Sequence, residues 1–294
     1  MVPLCTLILA LALAAAPGHV LSQQKLRVVA TSADLKALAE AVGGARIEVE
    51  SLAAPEQDPH AVEVKPAQLA RARGAALLIR IGLDHEPWLS KLKLPPSVVV
   101  LNASQNVRLI QTQTPRLRVE RRAHVHAYGN THYWLDPANA VPITAAIRDA
   151  LTKLSPQDAR VFEANRNAFV DALTKKIEDW KKAFAPFRGA KMVVVHDSWS
   201  YFAEAFGLQV VAAAEPHPGV PPSPAELAAL FQRMREAGVK ILIADPHSNP
   251  SLVRQIAAKS GAHAVTLSPS GHDYIRLFDD NVSRLVAALK HAGP

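Results

Sequence analysis

The chain has 294 residues, 49% of them hydrophobic and 20% charged, with 13 Gly and 22 Pro. That composition is globular, long enough for about two domains and too apolar for a disordered or collagen-like chain. A single cysteine, Cys5, excludes an internal disulfide, a cysteine-based zinc knuckle, an iron–sulfur cluster and a CxxC redox pair. Metal or acid–base chemistry must therefore draw on carboxylates and on the 12 His, while a formal charge of +7 is a modest excess of the sign that attracts anionic partners.

Residues 1–24 carry no Lys, Arg, Asp or Glu, and residues 4–16 form one apolar run closed by Pro17 and Gly18. The pattern predicts a secretory signal peptide over 1–22, too short for a membrane span of about 20 apolar residues. Cleavage near Ser22 would remove Cys5 and release an exported, periplasmic protein without cysteine.

Short β-branched runs follow at 26–30, 47–51, 76–81 and 98–102, then at 192–197, 208–212, 240–245 and 263–267. Alternating with helical segments, they predict an α/β fold with parallel sheets covered on both faces. Residues 105–131 have no clear period and hold Arg116, Arg118, Arg121 and Arg122, then His124 and His126. The segment reads as an exposed basic loop, and its few aromatics argue against a nucleic-acid stacking platform.

From 155 to 187 the residues Phe162, Phe169, Leu173, Ile177, Trp180 and Phe184 recur at spacings of seven, four, four, three and four, one stripe of a helix. Roughly 30 residues at 1.5 Å each span about 45 Å, more than the radius of one domain. The predicted order is an N-terminal α/β lobe (23–154), a linking backbone helix (155–187) and a C-terminal α/β lobe (188–294). Helix starts are marked by Ser155-Pro156 with Asp158, by Ser223-Pro224 with Glu226 as a capping box, and by Asn249-Pro250.

His60 in DPHAVEVKP, His132 in GNTHYWLDP and His196 in MVVVHDSWSYF stand after strand-like runs or in polar turns. None has the i+4 partner of a helical HExxH zinc site, so a shared site must be assembled from distant segments. His196 ends an apolar strand, and ligands of α/β sheets gather at the carboxyl ends of strands.

The blocks DPHAVEVKPAQLARARGAALLIRIGLDHEPWL, THYWLDPANA, VVVHDSWSYFAEAFGL and ADPHSNPSLVRQIAAKSGA, in that order, resemble the zinc/manganese solute-binding proteins of ABC metal importers (cluster A-I). The resemblance covers nearly all of the chain after the apolar leader. It implies two α/β lobes joined by a long rigid helix, with the metal in the cleft between them. His60 and His132 match the family's N-lobe ligands and His196 its first C-lobe ligand, where the manganese branch has Glu and the zinc branch His. Imidazole donors suit zinc, so the resemblance implies one Zn(II) per chain.

At the fourth family ligand, an Asp in a DPLG-like turn, this chain has Ser268. Asp273, just before Tyr274, is the choice made for that role, with His272, Asp245 and a water as alternatives and helix capping as the plain structural reading. Glu63, Asp136 and Asp197 are candidates to orient the ligands, although Asp58 and Asp136 precede prolines as turn formers do. Glu86 and Trp88 fit lobe packing equally well. His124 and His126 stand where zinc-specific relatives have a His-rich loop, but in basic surroundings, so they form at most a weak accessory metal site and the basic loop suggests docking onto an acidic partner. The implied partners are an ABC permease and a periplasmic metallochaperone, with the protein a monomer and no nucleic acid. Import of Mn(II) or another divalent metal is the alternative. A zinc hydrolase, with an open fourth position and Glu63 as base, ranks lower because no catalytic motif is present. A surface adhesin is the third class, and its expected lipid-anchor Cys at the mature N-terminus is missing.

Overall fold

The computed structural model describes residues 25–110, 130–215 and 219–293. The predicted leader and His124 and His126 lie outside them. All eight apolar runs are strands. β1 (Leu26–Ala30), β2 (Ile47–Ser51), β3 (Leu77–Arg80) and β4 (Val99–Asn102) form one parallel sheet in the order β2-β1-β3-β4. β5 (Lys191–Val194), β6 (Gln209–Ala213), β7 (Ile241–Ala244) and β8 (His263–Thr266) repeat it as β6-β5-β7-β8. Val28 lies opposite Val49 and Leu77, and Val194 opposite Ile243. Strands flanked on both sides and covered on both faces are continuously apolar, and β7, with every residue buried, shows why these runs do not alternate. In each sheet the chain steps out to one side and then crosses back, which leaves a switch point beyond the carboxyl ends of β1 and β3 and of β5 and β7.

The helices are α1 (Ala33–Gly43), α2 (Pro66–Arg73), α3 (Ala140–Leu154), α4 (Ala159–Phe184), α5 (Ser200–Phe206), α6 (Pro224–Ala237), α7 (Pro250–Ser260) and α8 (Tyr274–Ala292). The capping signals act as read: Ser223 and Glu226 form a reciprocal box, and Asn249 accepts from Ser251 and Leu252 N–H. Among the described residues no helix is long and apolar enough to cross a membrane.

α4 has 26 residues, or about 39 Å, and a 3-10 turn on either side of it. Its first half belongs to the first lobe: Phe162 is fully buried and Asn165 Nδ2 donates to Val42 O. Its second half belongs to the second lobe, where Trp180 stacks on Phe278 at 5.1 Å and donates to Asp279, Lys176 pairs with the same carboxylate, and Phe184 meets Phe202. One apolar cluster therefore runs from Val28 and Leu77 through α4 to Val194 and Phe278. The helix is thus buried against both sheets' layers.

The turn after β8 also crosses between lobes. Ser270 Oγ and Gly271 N–H donate to the Asp34 carboxylate on α1, Trp134 Nε1 donates to Pro269 O, and Tyr274 O–H donates to Trp134 O.

Candidate metal centre

The loops at the carboxyl ends of the two sheets face each other, and three of them carry the predicted histidines. His60 sits in a 3-10 turn after β2, fixed by its own N–H donating to Asp58 at 2.8 Å and by Trp88 Nε1 donating to Pro59 O. His132 precedes the 3-10 turn Tyr133–Leu135, and its N–H donates to Asn130 Oδ1 at 2.9 Å. His196 follows β5, where Val195 N–H still bonds Ile243 O, so the sheet itself aims the side chain.

The ligand atoms of His60, His132 and His196 all lie within 4.8 Å of one another. His60 Nε2 and His132 Nε2 are 3.4 Å apart. Two donors at zinc–nitrogen distances of 2.0–2.1 Å and a tetrahedral angle lie about 3.3–3.4 Å apart, so this edge has the length a tetrahedral zinc shell requires.

The tautomers agree. His60 Nδ1 is 3.1 Å from His85 O, His132 Nδ1 is 3.0 Å from Asn130 Oδ1, and His196 Nδ1 is 3.3 Å from Glu215 Oε2. Carbonyl and carboxylate oxygens only accept, and Asn130 Oδ1 is identified as oxygen because the His132 N–H also donates to it. Each ring therefore donates through Nδ1, which leaves Nε2 as the atom available to a metal. His196 Nε2 is buried with no hydrogen-bond partner among the described residues. Facing lone pairs and a buried acceptor favour a cation between them, and carbonyl or carboxylate partners on the far nitrogen are the usual support of a metal-bound His.

The family described as "Zinc-uptake complex component A periplasmic" (ZnuA) matches residues 28–288. The chain belongs to this family. Its ZnuA-family relatives include the high-affinity zinc uptake system protein ZnuA of Yersinia pestis, 25% identical over 292 residues, covering 90% of this chain and 91% of that one. The zinc-binding protein AdcA of Streptococcus pyogenes is 22% identical over 94% of this chain, which spans only 58% of AdcA's length. A crystal structure of ZnuA superposes with a TM-score of 0.79 at 25% identity, over 90% of this chain and 99% of that one. A zinc-bound ZnuA deletion mutant gives 0.79 at 26%, over 90% and 98%.

In this ZnuA-family chain negative charge collects around the C-lobe ligand. Burial pulls the His196 imidazole pKa down, but the bonded Glu215 and the charges of Asp245 and Asp58 outweigh it and leave the pKa raised. Asp245, at the end of β7, accepts from Trp199 Nε1 at 2.7 Å and Ser198 Oγ at 3.1 Å. Burial pushes its carboxyl up, against the opposing charge of His196. A metal ion displaces any proton on the His196 Nε2, and with the imidazoles then neutral the nearby carboxylates supply the potential that favours a dication.

The remaining predicted residues fall in different places. Asp197 accepts from Asn130 Nδ2 through both its carbonyl and its carboxylate, so it orients the group that orients His132. Asp136 caps the turn Pro137–Asn139 and pairs with Arg108. Glu63, His272 and Asp273 are exposed, and Asp273 accepts from Arg276 N–H as the cap of α8. The three-histidine cluster does not include it. Ser268 is held through its backbone by the Asn281 amide.

Sequence reasoning passed over Asn130, Glu215 and His85. Asn130 carried a signal, an Asn two residues before a His in a polar turn, the spacing of an Asx-turn. Asn130→Ala is expected to weaken zinc binding roughly tenfold with little loss of stability, since it frees His132 Nδ1 without removing a ligand. Chelator competition beside a thermal melt checks both parts.

Proposed function

We propose that this protein captures one Zn(II) ion per chain at His60, His132 and His196 and delivers it to the membrane permease of an ABC-type importer. It acts in the periplasm as a monomer after removal of the segment 1–22. The lobes are assigned to 23–154 and 188–294, joined by the helical segment 155–187. The observation that carries this reading is the set of three Nε2 atoms, each with its Nδ1 held by an oxygen acceptor, at the mouth of both sheets. Zinc is preferred to manganese because an all-imidazole tripod suits a four-coordinate borderline ion, whereas manganese favours six oxygen-rich donors. With Asp273 exposed and Asp245 held by Trp199 and Ser198, the fourth position is assigned to water, which also leaves it open to a donor from the receiving protein. The basic segment 105–131, with His124 and His126, is assigned to partner docking, the permease or a periplasmic metallochaperone.

Titration of the purified protein with Zn(II) and Mn(II) against chelators of known affinity tests the reading. One zinc per chain, held at least 100-fold more tightly than manganese, is expected. Equal affinity for the two ions would contradict it.

A further inference from the structure

The segment Gly82-Leu83-Asp84-His85, which follows β3, is built at an energetic cost. Gly82, Leu83 and Asp84 have φ of 84°, 55° and 57°, three successive residues in left-handed conformations. At Gly82 the positive φ strains any side chain, and an added Cβ would lie 2.1 Å from Asn102 Oδ1 and have to displace that amide. Leucine and aspartate are disfavoured in this region because Cβ crowds the backbone, and such strain persists only where the surroundings over-determine it. They do so here. Buried Glu86 accepts from Ile81 N–H at 2.6 Å, from Gly82 N–H at 2.9 Å and from Thr31 O–H at 2.5 Å.

The turn delivers His85, whose exposure is 0%. Its carbonyl accepts the His60 Nδ1–H, and its ring lies against the His60 ring with centroids 3.8 Å apart. The same ring meets His132 edge-on at 5.1 Å and Trp134 at 5.3 Å. Its Nδ1 is 2.7 Å from the hydroxyl of Thr131, the residue before His132. One residue thus touches both N-lobe ligands and both loops that carry them.

We propose that His85 is a positioning residue that sets the metal preference of the cleft. It locks His60 and His132 at the edge length of a tetrahedral shell and sets its own ring, backed by Trp134, against them, where the added waters of a six-coordinate ion would have to stand. The proposal rests on the zinc-binding reading above and deepens it. Zinc keeps four ligands, whereas manganese needs the wider oxygen-rich shell, so a rigid, ring-walled tripod separates the two ions through coordination number.

The test compares the wild-type protein with His85→Ala and His85→Phe in Zn(II) and Mn(II) competition titrations, with Co(II) d–d absorption as a reporter of coordination number. For His85→Ala, zinc affinity is expected to fall about 10–100-fold, the range typical of groups that orient metal ligands. The zinc-to-manganese ratio should fall with it, and the intense four-coordinate cobalt bands should weaken. Both variants keep the backbone carbonyl, but His85→Phe also keeps a ring against His60, and should hold the wild-type spectrum and a zinc affinity within about threefold of wild type, well inside that range. Unchanged ratio and spectrum in His85→Ala overturn the proposal, and so does a lower melting temperature with both unchanged. A wild-type protein that fails to bind zinc would instead sink the parent reading, so the two failures are distinguishable.

Discussion

His132→Ala is expected to lower zinc affinity by about 10³-fold, beyond the 10–100-fold that follows from losing a group that only orients a ligand. The residue is 7% exposed, its Nε2 is 3.4 Å from that of His60, and its Nδ1 is committed to Asn130. Alanine removes one of three donors and leaves a buried space, while the Asp136 carboxylate is engaged with Arg108 and Ala138 N–H, and that of Asp245 with Trp199 and Ser198. The apo protein should keep its circular dichroism, because His132 lies in a short turn rather than in a strand or long helix. A second readout is linked stability. Zinc at 100 times its Kd adds about 2.7 kcal/mol to the wild-type protein, and at the same zinc concentration the variant should gain almost none. A zinc-induced rise in melting temperature equal to that of the wild type would remove His132 from the site.

Asp34→Asn is expected to make the protein more stable at pH 8 and to flatten its pH dependence. Asp34 is 1% exposed on α1, and burial raises its pKa from 3.8 to about 7 despite the bonds from Ser270 and Gly271, which pull the other way. The Tyr274 hydroxyl facing it is itself pushed far up by burial and stays neutral across this range. A carboxyl raised on folding holds its proton in the native state and loses it in the unfolded chain between these two values. Its favourable contribution is therefore complete below pH 3.8 and is lost as pH rises through about 7. A shift of about three units amounts to roughly 4 kcal/mol in all, of which roughly 2–3 fall between pH 5 and pH 8. An asparagine can donate to Ser270 Oγ and accept from Gly271 N–H with no charge to bury. Urea unfolding of both proteins at pH 5 and pH 8 measures the difference, which should grow by those 2–3 kcal/mol. Parallel pH profiles would mean that Asp34 is not the titrating group in this contact.

These residues also mark how far the sequence could be read. The strands were legible because buried parallel strands need uninterrupted apolar runs, and the stripe from Phe162 to Phe184 because one helix packs against both lobes. The three clustered histidines were legible through local context and family resemblance, each standing in a polar turn or just beyond a strand-like run. Their supports were not. Glu215 follows β6 and reaches His196, 19 positions earlier, only because the strand order sets β6 beside β5. Asp34 reads as an ordinary acidic residue in the first turn of a helix, favourable to the dipole, while its partner Ser270 is 236 positions away. His85 was hidden for another reason. In GLDHEPWL the neighbouring Glu86 and Trp88 draw attention as packing residues, and nothing local reveals that the turn takes three left-handed residues and sets a ring against His60. Asp273 shows the converse. A carboxylate at a helix start satisfies both a ligand pattern and a capping pattern, and its bond to Arg276 N–H is that of a cap.

The central claim is that three inward-facing Nε2 atoms hold the ion. Anomalous diffraction at the zinc edge from crystals of the zinc-loaded protein tests it most directly. One strong peak is expected at zinc–nitrogen bonding distance, about 2.0–2.1 Å, from Nε2 of His60, His132 and His196, with water as the fourth donor. A peak bonded through Nδ1 of any of the three, or one held elsewhere on the protein with this cluster empty, would contradict it.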